Sequence, residues 1–164
     1  MRSRVCRGTS GDWKLWASLT ADTAYTQSIR RQIAHNVLSN RVALLGPLPD
    51  AVLADRLAQS HVLAVPSSYE GLGIVYLEGM GFGLPAIASS AGGAGEIITQ
   101  GREGFLVKPN DAATLAEHIR TLSQDRNLLA EMSLAAQQRY ASHPTWEQST
   151  QRICEFLEGI ITGA

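Results

Sequence analysis

The chain is 164 residues long, enough for one domain with a full core and too short for two ordinary ones. A net charge of −1 at pH 7 supplies no basic field, which argues against nucleic acid as a partner. Cys6 and Cys154 stand near opposite ends, outside any C-x-x-C or Cys/His cluster, which argues against a zinc site or a disulfide scaffold and suits a reducing, cytoplasmic setting.

The opening MRSRVCRG carries Arg2, Arg4 and Arg7 with no apolar segment behind them, so it does not read as a signal peptide. Residues 1–12 are expected to be a disordered or truncated tail and 13–164 a single domain. WKLWASL (13–19) reads as a buried strand, with Trp13 and Trp16 as core or interface residues. Asp22 is the expected N-cap of a helix whose apolar face is Tyr25, Ile29, Ile33 and Val37. RVALLG (41–46) is a strand closed by Gly46-Pro47, and Asp50 opens a short helix. HVLAVP (61–66) is a strand stopped by Pro66; no apolar run reaches the roughly 20 residues that span a bilayer, so no transmembrane segment is expected.

A helix over 73–82 follows, closed by Gly81, Gly83 and Pro85. PAIAS (85–89) is a strand, Gly92-Gly93 a loop, and a short helix starts near Gly95. GFLVKP (104–109) is the last strand, and helices over 110–125, 125–141 and 145–161 complete the chain. Strands alternating with helices imply a parallel α/β layer fold, with ligands at the carboxyl ends of the strands.

Residues 66–96 lie at such a strand end and carry the chemistry. Gly71-Leu72-Gly73 stands between strand and helix, where bare backbone and the free N–H groups of a helix start can receive an anion. Turning the chain is an equally open account of those glycines. Glu70 and Glu78 form an E-x7-E pair. Carboxylates repel a diphosphate but accept hydrogen bonds from sugar hydroxyls, as the acidic residue of dinucleotide sites does. Glu78 is the lone charge on an otherwise apolar helix, which points to a polar cavity; a solvated stripe is the alternative. The G-x-G-x-G string at 79–83 closes a helix rather than opening one, so it is no NAD fingerprint. Gly92-Gly93, with Glu96 behind them, read either as a second anion loop or as a structural turn. Ser67 and Ser68 lack a G-x-S-x-G elbow, Arg30-Arg31 reads as a solvated helix face, and His35, His61, His118 and His143 have no second ligand at metal spacing.

PSSYEGLGIVYLEGMGFGLPAIASSAGGAGEII…GREGFLVKPND resembles the C-terminal, donor-binding domain of family 4 (group 1) glycosyltransferases of the GT-B fold. The resemblance is carried by the E-x7-E pair, the G-x-P entry at 83–85, the G-G-x-x-E turn at 92–96 and the G-F-L-V-x-P strand. It is dense over 41–123 and extends from 13 to 161. It implies an α/β, Rossmann-like three-layer parallel sheet that lacks the first strand–loop unit of the family, with its Arg and Lys. It also implies retaining transfer from a UDP- or GDP-sugar without a bound metal or other cofactor. By this resemblance Glu78 binds ribose and Glu70 lies against the donor sugar. The backbone of Gly71, Leu72, Gly73 and Ile74 holds the diphosphate, and Gly46 and Pro47 lie beside the base. A separate N-terminal acceptor domain is the implied partner, and the chain alone is expected to be inactive, with an unfilled apolar face on helix 145–161. A full-length form is expected in the cytoplasm, peripheral at a membrane. Two other readings stand beside this one: a non-catalytic nucleotide-binding or interaction module, and a fragment of a GT-B-like sugar-nucleotide epimerase.

Overall fold

The computed structural model describes residues 4–8, 13–16, 22–69 and 71–162; for 4–8, 15, 16 and 162 it describes the backbone. The elements run β1 (Arg4–Gly8), β2 (Trp13–Trp16), α1 (Thr23–His35), β3 (Val42–Leu44), α2 (Asp50–Ala58), β4 (Ser60–Val65), α3 (Ile74–Gly81), β5 (Ala86–Ser89), α4 (Ala94–Ile97), β6 (Gly104–Val107), α5 (Ala112–Gln124), α6 (Arg126–Ser142) and α7 (Trp146–Thr162). The strands form one six-stranded sheet in the order β3-β2-β1-β4-β5-β6.

The pair β2–β3 and the run β4–β5–β6 are parallel, as the alternation of strands and helices predicts. β1 runs antiparallel to both β2 and β4, which sets β2 and β4 in the same direction. This strand lies where the sequence suggested a tail. Its reversed direction has a simple cause: residues 9–12 alone separate it from β2, whereas a parallel crossover takes a dozen residues or more. RVCRG has no apolar run, so nothing local announces it as a central strand.

The alternation of side chains along β4 and β5 divides the core in two. Leu63, Val65, Ala86 and Ala88 join Leu57 of α2 and Val75, Tyr76, Leu77 and Met80 of α3 in one cluster. Val62, Ala64, Ile87, Phe105 and Val107 join Leu122, Leu129 and Met132 in the other, with Trp13 half-buried against them. The result is a Rossmann-like α/β half, with helices on both faces of the sheet.

The caps follow the sequence. Asp22 accepts from the Tyr25 N–H at 2.8 Å and starts α1. Asp111 accepts from the Thr114 N–H at 3.0 Å and from its hydroxyl at 2.7 Å. Those bonds, the backbone one first, hold the Asp111 carboxyl below the usual carboxylate range. α3 ends in a Schellman motif in which Gly83 N–H donates to the Met80 carbonyl and Leu84 N–H to that of Gly79; Gly83 takes the left-handed φ of 73° that the motif requires. The expected apolar face of α1 holds at two of its four positions. Thr26 is its buried residue, Ile29 and Ile33 are half-buried, and Tyr25 is exposed. Val37 lies past the helix end at φ 56° and is 87% exposed, because α1 stops at His35.

Candidate functional site

The loops that follow β4 and β5 meet at the carboxyl ends of the parallel strands. Tyr76 fixes the helix that leaves the first of them: its fully buried ring lies under α3, and its hydroxyl donates to the carbonyl of Val65, the last residue of β4, at 3.3 Å. Gly73 caps α3 at φ 77°, ψ 48°, a left-handed conformation that favours glycine. A glycine cap brings no side-chain acceptor to the first amides of the helix; Tyr76 N–H donates to the Gly73 carbonyl at 2.8 Å, and the amides of Ile74 and Val75 precede the intrahelical ladder. Donors and the positive end of the helix dipole therefore face the loop over 71–73.

Five of the eight residues of α3 are buried, and Ile74 and Glu78 stand together on its exposed stripe. At 1.5 Å per residue, Glu78 lies about 6 Å below Ile74 along the axis, and helical side chains lean back toward the N-terminus. The Glu78 carboxylate is thus on the same face as the amide donors, one turn away from them. Gly71 and Leu72 are exposed, while Gly73 is buried. Glu70 lies outside the described residues. Gly46 is buried and Pro47 exposed in the loop after β3. Their neighbours Leu45 and Leu48 pack on the cluster that holds Val75 and Leu77. Three strand spacings, about 14 Å, separate β3 from β4 in the sheet.

The fold adds a loop to this group. Gly93 N–H donates to the Gly71 carbonyl at 2.8 Å, joining the two glycine loops backbone to backbone. A Cβ on Gly93 would stand 2.2 Å from that carbonyl oxygen, so the approach requires glycine. This bond engages the Gly93 amide, and the loop serves as a turn locked to its neighbour. Glu96 is exposed in the first turn of α4. Ser67 N–H donates to the Val65 carbonyl at 2.9 Å, within the turn.

Sequence reasoning missed three supports. Glu103 is 2% exposed; its carboxylate accepts from the Thr99 N–H at 2.8 Å and lies 3.5 Å from the Arg102 guanidinium. A charged residue between two glycine turns (G-R-E-G) was the available signal. Arg139, on α6, donates to the carbonyls of Glu96 at 2.5 Å and Ile97 at 3.0 Å, closing the end of α4 from 42 residues away. His118 stacks on Phe105 with ring centroids 4.0 Å apart, a packing role with no local signature. Among the described residues no group of three or more His, Cys, Asp or Glu is placed to hold a metal ion.

Residues 17–139 match the family of glycosyl transferases group 1. The chain is similar to the sulfoquinovosyl transferase SQD2 of Arabidopsis thaliana, 35% identical over 66% of this chain and 22% of the plant protein. It is similar also to a GDP-mannose-dependent monoacylated alpha-(1-6)-phosphatidylinositol monomannoside mannosyltransferase of Corynebacterium glutamicum, 32% identical over 80% of this chain and 36% of that one. Among solved structures, Anabaena HepE in complex with UDP superposes with a TM-score of 0.81 at 30% identity, covering 89% of this chain and 40% of HepE. The chain thus spans well under half the length of these proteins.

Proposed function

The chain belongs to the group 1 glycosyl transferases as a C-terminal, GT-B-type domain, and from that membership we propose that it binds the donor, a UDP- or GDP-sugar, for retaining transfer of the sugar to an acceptor. The observation that carries the reading is the placement of Glu78 one turn below the glycine-capped start of α3, on its exposed face. The amides of Gly71 to Ile74 and the helix dipole receive the diphosphate, with no side-chain negative charge between them. Glu78 accepts from the ribose hydroxyls, the base lies along Gly46 and Pro47, and Glu70 faces the donor sugar. As the bond to the sugar breaks, charge develops on the leaving diphosphate, where fixed amide donors stabilise it without reorganising. The dependence of one relative on GDP-mannose and the UDP complex of another support a nucleoside-diphosphate donor of either kind.

Gly71, Leu72, Ile74 and Glu78 are all exposed, so among the described residues this face is open to solvent. Transfer requires water to be excluded, and a separate N-terminal acceptor domain supplies the facing wall. By itself this chain binds donor and does not transfer it. That same openness favours, as a second reading, a module that binds nucleotide without catalysis; transfer after mixing with a separate acceptor domain would refute the second reading.

The direct test is thermal stabilisation by UDP, GDP and ADP, on the wild-type chain and on Glu78→Ala. A nucleotide at about 100 times its Kd adds roughly 2.7 kcal/mol, or about 5–10 °C for a domain of this size. One of UDP and GDP should shift the wild type by that amount and the variant by much less. An equal shift in both proteins would remove Glu78 from the site.

A further inference from the structure

We propose that Gly93 is a positioning residue that sets the diphosphate loop through the Gly71 carbonyl, so that it governs binding of the diphosphate and not of the nucleoside. The inference rests on the reading of Gly71–Ile74 as the diphosphate cradle. The two glycine loops are unequally held. Pro66, Ser68, Tyr69, Gly71 and Leu72 are all exposed. The loop after β5 is instead pinned at successive points. Ser90 N–H donates to the Val107 carbonyl at 2.8 Å, and Ala91 N–H to the hydroxyl of fully buried Ser89 at 3.2 Å. Ala94 and Ile97 are buried behind it, and Arg139 closes the end of α4. The Gly93–Gly71 bond hitches the exposed loop to this frame.

Its geometry leaves no slack. A side chain at Gly93 would lie 2.2 Å from the Gly71 oxygen and 3.2 Å from the Leu72 Cα, both backbone atoms that move only if the loop moves. At Gly71 itself a Cβ would meet nothing within 4 Å, so it is the Gly71 carbonyl, rather than its lack of a side chain, that the contact uses. Displacing that carbonyl shifts the amides of Leu72 to Ile74. It leaves Glu78 where it is, because the body of α3 is fastened by Val75, Tyr76, Leu77 and Met80 in the core. Damage at Gly93 therefore separates the two ends of the ligand, as a general loss of stability would not.

The experiment measures Kd for UDP and GDP, and for uridine and guanosine, on wild type and Gly93→Ala, with amide exchange followed by NMR on the ligand-free proteins. The expected result is a loss of at least tenfold for the diphosphate that the wild type binds, with its nucleoside within twofold, and faster exchange of the amide of residue 93, whose bond to the Gly71 carbonyl is lost. Equal losses for diphosphate and nucleoside, or no loss for either, overturn the proposal. If the wild type binds no nucleotide, the site reading and the diphosphate role fall together, and unchanged exchange in the variant would show that the latch too is absent. If Gly93→Ala does not fold, exchange in the wild type decides. A Gly93 amide at least tenfold slower than that of Gly92 supports the latch, and equal rates overturn it.

Discussion

α3 and α7 are both rich in apolar residues, and the fold treats them in opposite ways. α3 has eight residues and buries five of them against the sheet and α6. α7 is twice as long and strongly amphipathic in sequence, yet Trp146, Ile153, Phe156, Leu157, Ile160 and Ile161 are each at least half exposed. They recur at helical spacing, so they make one continuous stripe, on the order of several hundred Å² of apolar surface. An apolar pattern is enough to specify a helix. It stabilises the fold only where something covers it, at about 25 cal/mol for each Å² removed from water. The two helices thus show which part of the chain is complete in itself, and which offers a face of the size that interaction surfaces have.

Deleting core volume beneath α3 should have the largest effect. Leu63 is fully buried on β4 and packs against the helix. Leu63→Ala should cost about 3 kcal/mol, a fall in Tm of roughly 6–12 °C by calorimetry, from lost transfer energy and the cavity left behind. A loss under about 1 kcal/mol would mean that α3 is not seated on the sheet as described.

The next effect is a change of sign. A Cβ on Gly79 would stand 2.7 Å from Leu63 Cδ2, the end of a side chain that the core prevents from moving freely. Replacing an interior helical glycine with alanine gains about 1 kcal/mol of helix propensity, against about 1–3 kcal/mol for overpacking. Gly79→Ala should therefore be neutral to destabilising by up to about 2 kcal/mol in the wild type. In the Leu63→Ala background the clash is gone and the new methyl enters the cavity, so the same substitution should raise stability by about 1 kcal/mol. Strict additivity in urea denaturation would break the claim that these two residues touch.

That contact also marks what could be read in advance. Strand and helix positions from β2 to α7 were legible because Gly and Pro punctuate short apolar runs, as at Gly46-Pro47, Pro66 and Gly83-Leu84-Pro85. Asp22 and Asp111 announced their helices through side chains that can satisfy the first amides. The candidate loop could be located as glycines just ahead of an apolar helix, although turning the chain accounted for them equally well. The strand β1 could not, because its evidence is pairing with β2 and β4 rather than anything in RVCRG. Nor could the Gly93–Gly71 bond, made between backbones 22 residues apart, of which a sequence records only that glycine is present at both ends. The face of α1 was legible in part. The four-residue recurrence caught Ile29 and Ile33, which are half-buried, but it also named exposed Tyr25 and Val37 beyond the helix end, and it passed over buried Thr26.

The smallest expected effect belongs to α7 and is the most discriminating. Phe156 is 69% exposed and Ile160 63%, so Phe156→Ser with Ile160→Ser removes side chains that bury little. Serine, phenylalanine and isoleucine have nearly equal helix propensities, so the helix itself should be indifferent to the exchange. The double variant should change stability by no more than about 0.5 kcal/mol per site, a few degrees at most, and its Tm should not depend on protein concentration. A larger loss, together with a wild-type Tm that rises with concentration, would mean that another copy covers the stripe in solution. The contrast between the two helices would then be one of partners rather than of burial, because α7 would be gaining from association the stability that α3 draws from the sheet beneath it.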